Sequence, residues 1–312
     1  MQTLDLLVLG GVGIDTIVRV PALPLPLADS IHVPAVRDYV AHTGNGYALA
    51  AQALGLRTRF LDFLGDDEQG RLVLERYRRR GLDFDYIVEP SGTRRSVNLV
   101  DPAGRRLSLY DGRHPDALRM PRDFYLPSMR AARHVHLSIM AWARDCFADV
   151  QALGLSSSTD LHDWDGRNDY HRAFAQQADL VFVSIVAMGG RHFEVMREIL
   201  EQGRARLVVA TGGEQGSWWL ARGDAMPGHQ PALAPERPVV DSNGAGDSFA
   251  AAFLYGWLQG LPPAECARLG ALAGAYACSC HGTHEDFVTR EQLLRLRAAL
   301  GDAPAAGPAA QG

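Results

Sequence analysis

Short strand-like runs and helical patterns take turns along this chain, and that rhythm leaves few folds open. The runs are Leu6-Leu7-Val8-Leu9, Phe60–Leu64, Val135–Ser138, Ser156–Leu161, Leu180–Ser184 and Leu207–Ala210. Each is too short for a helix and reads as a strand, several of them buried on both faces. Helical patterns cover Tyr47–Leu54, stopped by Gly55, and Arg71–Arg80, closed by Gly81; three long ones follow at 244–258, 263–280 and 289–299. Such alternation implies an α/β fold with a mostly parallel sheet and helices on both faces. A chain of 312 residues leaves room for one large domain or two modest ones.

Two stretches break the rhythm. Pro21, Pro24, Pro26 and Pro34 punctuate the segment from Val18 to Val36 and favour extended chain or edge strands there. Ser96–Val100 and Arg106–Tyr110 alternate polar and apolar residues around Asp101-Pro102-Ala103-Gly104, the pattern of a β-hairpin. These extra strands, at about 15–41 and 93–112, predict a small second sheet over one end of the main domain. Ligands of open α/β sheets bind at the carboxyl ends of the strands, so a sheet there would act as a lid. The expected division is a main domain of 1–14, 42–92 and 113–300, a lid of 15–41 and 93–112, and a frayed tail at 301–312.

Composition narrows the function. Lys and Arg number 31 against 36 Asp and Glu, a net charge of −5, which argues against a nucleic-acid binder. No apolar run approaches the ~18 residues that would cross a bilayer. Met1–Leu9 has no basic start and carries Asp5, so it does not read as a secretory signal. Cys146, Cys266, Cys278 and Cys280 have no C-x-x-C spacing and read as buried small apolar side chains. Together these predict a cytoplasmic protein.

The segment with most chemistry is Asp241-Ser242-Asn243-Gly244-Ala245-Gly246-Asp247-Ser248-Phe249, between the apolar pair Val239-Val240 and a helix. Glycines at 244 and 246 let backbone N–H groups approach a ligand, and the helix start adds the positive end of its dipole. That makes an anion site suited to a phosphate. A carboxylate at the same spot would repel a bound anion. Asp247 makes sense there if it accepts a proton from a hydroxyl that attacks phosphorus. The spacing alone fits equally well a capped helix with Asp247 as a first-turn charge.

The Asp-Ser-Asn-Gly-Ala-Gly-Asp segment resembles the second signature of the PfkB/ribokinase family of carbohydrate kinases, with Ser242 where Thr is usual. Thr43-Gly44-Asn45-Gly46-Tyr47-Ala48 is similar to the first signature, although Ala48 stands where a second Asn is usual. Gly10–Asp15, Ala51–Gly55 and Gly65-Asp66-Asp67-x-x-Gly70 also agree, and Ala210–Gly216 resembles the family's nucleotide loop. The resemblance implies a ribokinase-like three-layer α/β/α sandwich with a β-sheet lid. It implies Asp247 as catalytic base with Gly244, Ala245 and Gly246 as the anion hole. Sugar contacts would come from Asp15, Gly44, Asn45 and Asp247, and ATP contacts from Thr211, Gly213, Gly216, Asn243 and Gly282. It also implies Mg²⁺ and a monovalent cation such as K⁺ near Asp241 and the Gly282 loop. One departure stands out. The family's Asn-x-x-Glu, linked to Mg²⁺ and phosphate, is replaced by Ser184-Ile185-Val186-Ala187. Asp160 is then an outer-shell candidate for the ion.

The expected activity is therefore ATP-dependent phosphorylation of a hydroxyl on a small sugar or sugar-like molecule. The lid's exposed edges suggest a homodimer. A nucleoside kinase is the alternative within the same mechanism, with Tyr39, Tyr47 or Tyr110 available to line a base pocket. A catalytically weak sugar- or nucleotide-binding relative is the alternative of another class. Other signals read more plainly. Gly11-x-Gly13 lacks the third glycine and the helix of a dinucleotide motif. His162-Asp163-Trp164-Asp165 reads as a polar loop, His281 and His284 as a surface turn, and Arg76, Arg78, Arg79 and Arg80 as a solvated helix face. Adjacent Trp218 and Trp219 must point opposite ways in a strand, one into the core and one partly exposed.

Overall fold

The computed structural model describes residues 3–280 and 282–301, so His281 and 302–312 of the expected tail lie outside the described residues. The chain opens with strand β1 (Leu4–Leu9), then β2 (Gly13–Arg19) and β3 (Arg37–Ala41). Helix α1 (Thr43–Ala53), β4 (Thr58–Leu64), α2 (Glu68–Arg80) and β5 (Asp83–Val88) follow. The hairpin β6 (Arg95–Val100) and β7 (Arg106–Asp111) comes next. Then come α3 (Arg122–Ala131), β8 (Ala132–Leu137), α4 (Ala141–Arg144), α5 (Phe147–Ala152) and β9 (Ser156–Asp160). Helix α6 (Asp169–Ala175), β10 (Leu180–Ser184), α7 (His192–Gln202) and β11 (Leu207–Thr211) continue the alternation. Strands β12 (Ser217–Ala221) and β13 (Gly228–Gln230) precede α8 (Ala245–Leu258), α9 (Pro263–Cys278) and α10 (Arg290–Ala299).

The nine-stranded sheet runs β13-β12-β11-β10-β9-β8-β1-β4-β5. Pairing is parallel from β11 through to β5, while β12 and β13 add on antiparallel. Its two faces bury separate cores. Leu6, Val8, Phe60, Phe182 and Val209 pack under α1, α8, α9 and α10. Leu7, Leu9, Val135, Val181 and Val208 pack under α3, α5, α6 and α7. This is the expected α/β/α sandwich. The double burial explains the unbroken apolar runs of β1, β10 and β11, whereas β8 and β9 bury His134, His136, Ser157, Ser158 and Thr159 through hydrogen bonds.

Local signals set the helix ends. Asp67 caps α2 by accepting from the Gly70 N–H at 2.8 Å, and left-handed Gly81 closes it after three arginines in the last turn. Val73 and Tyr77, four apart, carry its buried stripe. Thr289 and Gln292 form a reciprocal capping box on α10. The tryptophan pair corrects the sequence reading. Trp218 joins one core and Trp219 the other, both partly buried, because β12 lies inside the sheet with β13 beyond it.

The second sheet has the order β3-β2-β6-β7. Residues 20–36, rich in proline, carry no regular structure. Asp15, Ser96 and Asn98 are in register on one face and buried there beside Ile17 and Val100, while Arg106 and Tyr110, on the same face of β7, are exposed. Leu107 and Leu109, on the other face of β7, are 49% and 55% exposed. The sheet is tied to the main one by a buried ion pair. Arg94, just before β6, donates to Asp62 of β4 and to the Val12 carbonyl at 3.2 Å. Asp62 also accepts from the Val12 and Phe63 N–H groups, each at 2.8 Å, so its lone pairs are well used.

Candidate active site

The cleft forms where the carboxyl ends of the central strands meet the first turns of α1 and α8. Gly244 is the N-cap of α8 with φ +77°, a left-handed turn that a Cβ would resist. The first turn behind it has no side-chain cap; the Ala245 N–H faces the Ser242 carbonyl at 3.3 Å, and a Cβ on Gly246 would meet nothing within 4 Å. Asp247 sits in this turn with its side chain 17% exposed. Its Oδ2 lies 2.7 Å from Nε2 of His284. The glycine turn and the carboxylate therefore lie side by side at the start of α8.

His284 is the main residue that sequence reasoning misplaced. It is not on a surface turn but 4% exposed, wedged between the starts of α1 and α8. A Cβ on Gly46 would come within 2.5 Å of its Nε2, and one on Gly244 within 2.6 Å of its Cδ2. Arg76 holds the loop from behind, donating to the His284 carbonyl and to Glu285 Oε1 at 2.6 Å. The arginine run is thus only in part a solvated face. Arg78 and Arg79 pair with Glu75 on the helix surface, while Arg76 and Arg80 reach the 284–285 backbone.

Asn45 is fully buried, and its amide is engaged within the protein. Nδ2 donates to the Val40 carbonyl at 3.1 Å and lies 3.1 Å from His284 Nδ1, while Oδ1 accepts from the Tyr77 hydroxyl at 2.9 Å. Gly44 packs against the Gly10 backbone, where β1 ends. Asp15 is 9% exposed, with Oδ1 3.4 Å from His42 Nε2. Burial would raise its carboxyl, but the hydrogen bond and charge of His42 outweigh that and leave it below the ordinary carboxylate range. His42 also approaches Ser96 Oγ at 3.4 Å and the Tyr110 ring at 5.7 Å, so the lid and α1 meet at Asp15.

Asp160 ends β9 behind this wall. It accepts from the His162 N–H at 2.8 Å and the Tyr47 hydroxyl at 3.4 Å. Burial first, and then the Asp247 charge, push its carboxyl up against the pull of His162. Tyr47 is wholly buried and stacked on His136 at 3.7 Å, so it cannot line a base pocket. Tyr39 and Tyr110, on the lid, are the half-buried and exposed members of that trio.

Thr211 ends β11 and leads into a tight 3₁₀ turn, Gly213–Gln215, with Gly216 at the start of β12. Beside it a cavity of about 290 Å³ is lined by Ile185, Val186, Gly189, His192, Gly212 and Gln215. His192 was not anticipated; its ring lies 4.9 Å from Trp218, which stacks on His229. The Ser184–Ala187 stretch offers no carboxylate, and Ser184 Oγ is used by the Val186 N–H at 3.4 Å. Among the described residues no three His, Cys, Asp or Glu side chains gather to hold a metal. Asp241 spends Oδ2 on Arg19 of β2 at 3.3 Å and Oδ1 on the Asn243 N–H at 3.0 Å. Asn243 Oδ1 accepts from Arg106 of β7 at 2.9 Å. Two lid arginines therefore reach the segment before α8. Gly282 lies against the lid's Tyr39 ring.

A glycine-rich helix start with a carboxylate in its first turn, set at the carboxyl ends of the strands beneath a lid sheet, is an arrangement compatible with phosphoryl transfer. The profile of the pfkB family of carbohydrate kinases matches residues 4–290. The chain belongs to this family and is an ATP-dependent kinase that phosphorylates a sugar hydroxyl. Among known proteins it is 47% identical to an acarbose 7(IV)-phosphotransferase of an Actinoplanes species, over 93% of this chain and 97% of the relative. The structure of a microbiome-derived acarbose kinase, Mak1, superposes with a TM-score of 0.88 at 48% identity, covering 95% of this chain and 99% of that one. An Arabidopsis ribokinase complexed with ribose and ATP shares the fold, with a TM-score of 0.79 at 21% identity, covering 94% and 98%. No helix among the described residues is long and apolar enough to cross a membrane.

Proposed function

We propose that Asp247 is the general base of this kinase and that the N–H groups of Gly244, Ala245 and Gly246 hold the transferring phosphoryl group. The hydroxyl of the sugar rests against the free oxygen of Asp247 and gives up its proton as its oxygen bonds to the γ-phosphorus of ATP. The bond from that phosphorus to the β-phosphate oxygen breaks, and ADP leaves. The observation that carries this reading is the open first turn of α8, where Gly246 faces empty space beside an ionisable side chain. Thr211, Gly213 and Gly216 hold the nucleotide, with Asn243 and Gly282 on its other flank. Magnesium enters as part of the ATP complex, which fits the lack of any gathering of three His, Cys, Asp or Glu side chains among the described residues. Arg19 already compensates Asp241, which weakens the case for K⁺ at that carboxylate.

Asp15 and the first turn of α1 hold the sugar. Asn45 supports that wall from behind, because its amide is turned inward. The sugar is an acarbose-like pseudo-oligosaccharide. Support comes from the 47% identity across nearly the whole of both chains, and from a lid whose cleft face presents Asp15, Ser96, Asn98 and Arg106. The nucleoside alternative loses Tyr47 as a pocket wall. Two copies pair through the outer face of the lid, where Leu107 and Leu109 lie exposed. An ATP requirement and free cysteines fit a cytoplasmic setting.

The test is ADP release with acarbose, ribose, fructose and inosine as acceptors, with the product identified by mass. Acarbose should drive release and gain one phosphoryl group. Asp247→Asn should then lower kcat by about 10²–10⁴ with little change in either KM. A loss below about tenfold would remove Asp247 from the role of base.

A further inference from the structure

We propose that His284 is a positioning residue for the base: held as the Nε2–H tautomer by Asn45, it donates to Oδ2 of Asp247 and leaves Oδ1 for the substrate hydroxyl. The inference rests on the reading of Asp247 as base and adds the device that aims it.

The hydrogen-bond chain fixes its own direction. The Val40 carbonyl can only accept, so the Asn45 atom facing it at 3.1 Å is the amide nitrogen. That nitrogen also faces His284 Nδ1 at 3.1 Å, which must therefore accept. A neutral imidazole that accepts at Nδ1 carries its proton on Nε2. Nε2 lies 2.7 Å from Asp247 Oδ2, a carboxylate oxygen that accepts. The Tyr77 hydroxyl closes the chain by donating to Asn45 Oδ1 at 2.9 Å. Each donor meets an acceptor from α2 through α1 to α8, and only one tautomer satisfies all the members.

Backbone and packing are arranged around the same ring. His284 has φ +60°, a left-handed conformation that L side chains other than glycine rarely adopt. Arg76 holds that loop in place through the His284 carbonyl. Gly46 and Gly244 leave the ring its space on both sides. The ring is 2% exposed at its side chain, so water does not compete for Nε2. A carboxylate with one oxygen fixed this way is limited to rotations that keep Oδ1 toward the cleft. Orientation of this kind is what a base needs in order to meet a proton at hydrogen-bond distance.

The first test needs no substrate. In ¹⁵N–¹H spectra of the full chain's histidine rings, the signals lost in His284→Gln should be those of a ring protonated at Nε2 and bare at Nδ1. A ring protonated at Nδ1 instead would overturn the proposal. The second test is kinetic, with MgATP and acarbose. His284→Ala should lower kcat about 10- to 100-fold with little change in either KM, a modest part of the range for acid–base groups. His284→Gln, which can place an amide N–H near the Nε2 position, should restore much of that loss. His284→Asn, which reaches only the Nδ1 position, should not. Equal kcat in all three variants would overturn the positioning role. The two readings separate cleanly: Asp247→Asn at near wild-type rate removes the base, whereas an inactive Asp247→Asn beside a fully active His284→Ala removes only the positioning role.

Discussion

The two sheets of this kinase are built on opposite rules. The nine-stranded sheet buries an apolar core under helices on each face, with His134, His136, Ser157, Ser158 and Thr159 of β8 and β9 buried and hydrogen-bonded within it. The four-stranded sheet buries Asp15, Ser96 and Asn98 beside Ile17 and Val100 on one face, and leaves the whole of β7, Leu107 and Leu109 included, exposed. A free-standing sheet would place these residues the other way round. The lid is therefore not a small domain with its own core. It borrows its order from the main sheet through Arg94 and Asp62 and keeps an apolar face for something else to cover. The large sheet supplies stability, and the small one supplies contacts.

The largest effect should come from cutting the link between them. Asp62 is fully buried and holds Arg94 together with the Val12 and Phe63 N–H groups. Asp62→Ala would leave a guanidinium buried without its counter-charge, which costs about 3–5 kcal/mol. Denaturant unfolding should report that loss. If the lid owed nothing to this pair, the variant would unfold near the wild-type midpoint and the contrast between the sheets would fail.

A smaller effect is expected at the outer face of the lid. Leu107→Glu with Leu109→Glu puts charge on an exposed apolar strand and should not disturb the fold. Sedimentation should show a dimer for the natural chain and a monomer for the double variant, with ADP release per chain close to wild type. A natural chain that sediments as a monomer at micromolar concentration would mean that the bare face serves no second copy.

The same contrast explains what could be read from the residues. Strands β1, β10 and β11 were legible because burial on both faces leaves unbroken apolar runs. The segment from Asp241 to Asp247 was legible as a glycine-flanked helix start, but its spacing fitted a capped helix as well as an anion site, and the choice came from the family resemblance. Strand β5, with Asp83 and Asp85 alternating with Phe84 and Tyr86, was missed: it is an edge strand, and its charged residues face Arg59 rather than a core. His284 was misread for a different reason. Its meaning lies in Asn45 and Asp247, respectively 239 and 37 positions away, and a lone histidine after a glycine carries no trace of either. Arg76 was misread likewise, since its partner loop lies more than 200 positions on. Local pattern revealed elements and motifs, whereas the wiring between motifs is long-range and leaves no periodicity.

The smallest effect sharpens the contrast by moving as far from the cleft as the main sheet allows. Asp5, the second residue of β1, accepts from Arg57 at 3.0 Å and faces Arg133 of β8 at 3.4 Å, tying three neighbouring strands at the amino end of the sheet. The Arg57 hydrogen bond holds its carboxyl down at about 2 against the push of partial burial. A carboxyl depressed in the folded state contributes stability that is present above its ordinary value of 3.8 and lost as pH falls through about 2. Arg57 is well exposed, so the contribution is that of a surface pair, about 1 kcal/mol or less. Asp5→Asn should therefore lower the midpoint of thermal unfolding slightly at neutral pH, and the gap to wild type should narrow from about pH 4 toward pH 2. Turnover should not change, because nothing in the lid or the first turn of α8 depends on this pair. A loss of kcat in Asp5→Asn would show that strain at the amino end of the large sheet reaches the cleft, and the division of labour between the two sheets would not hold.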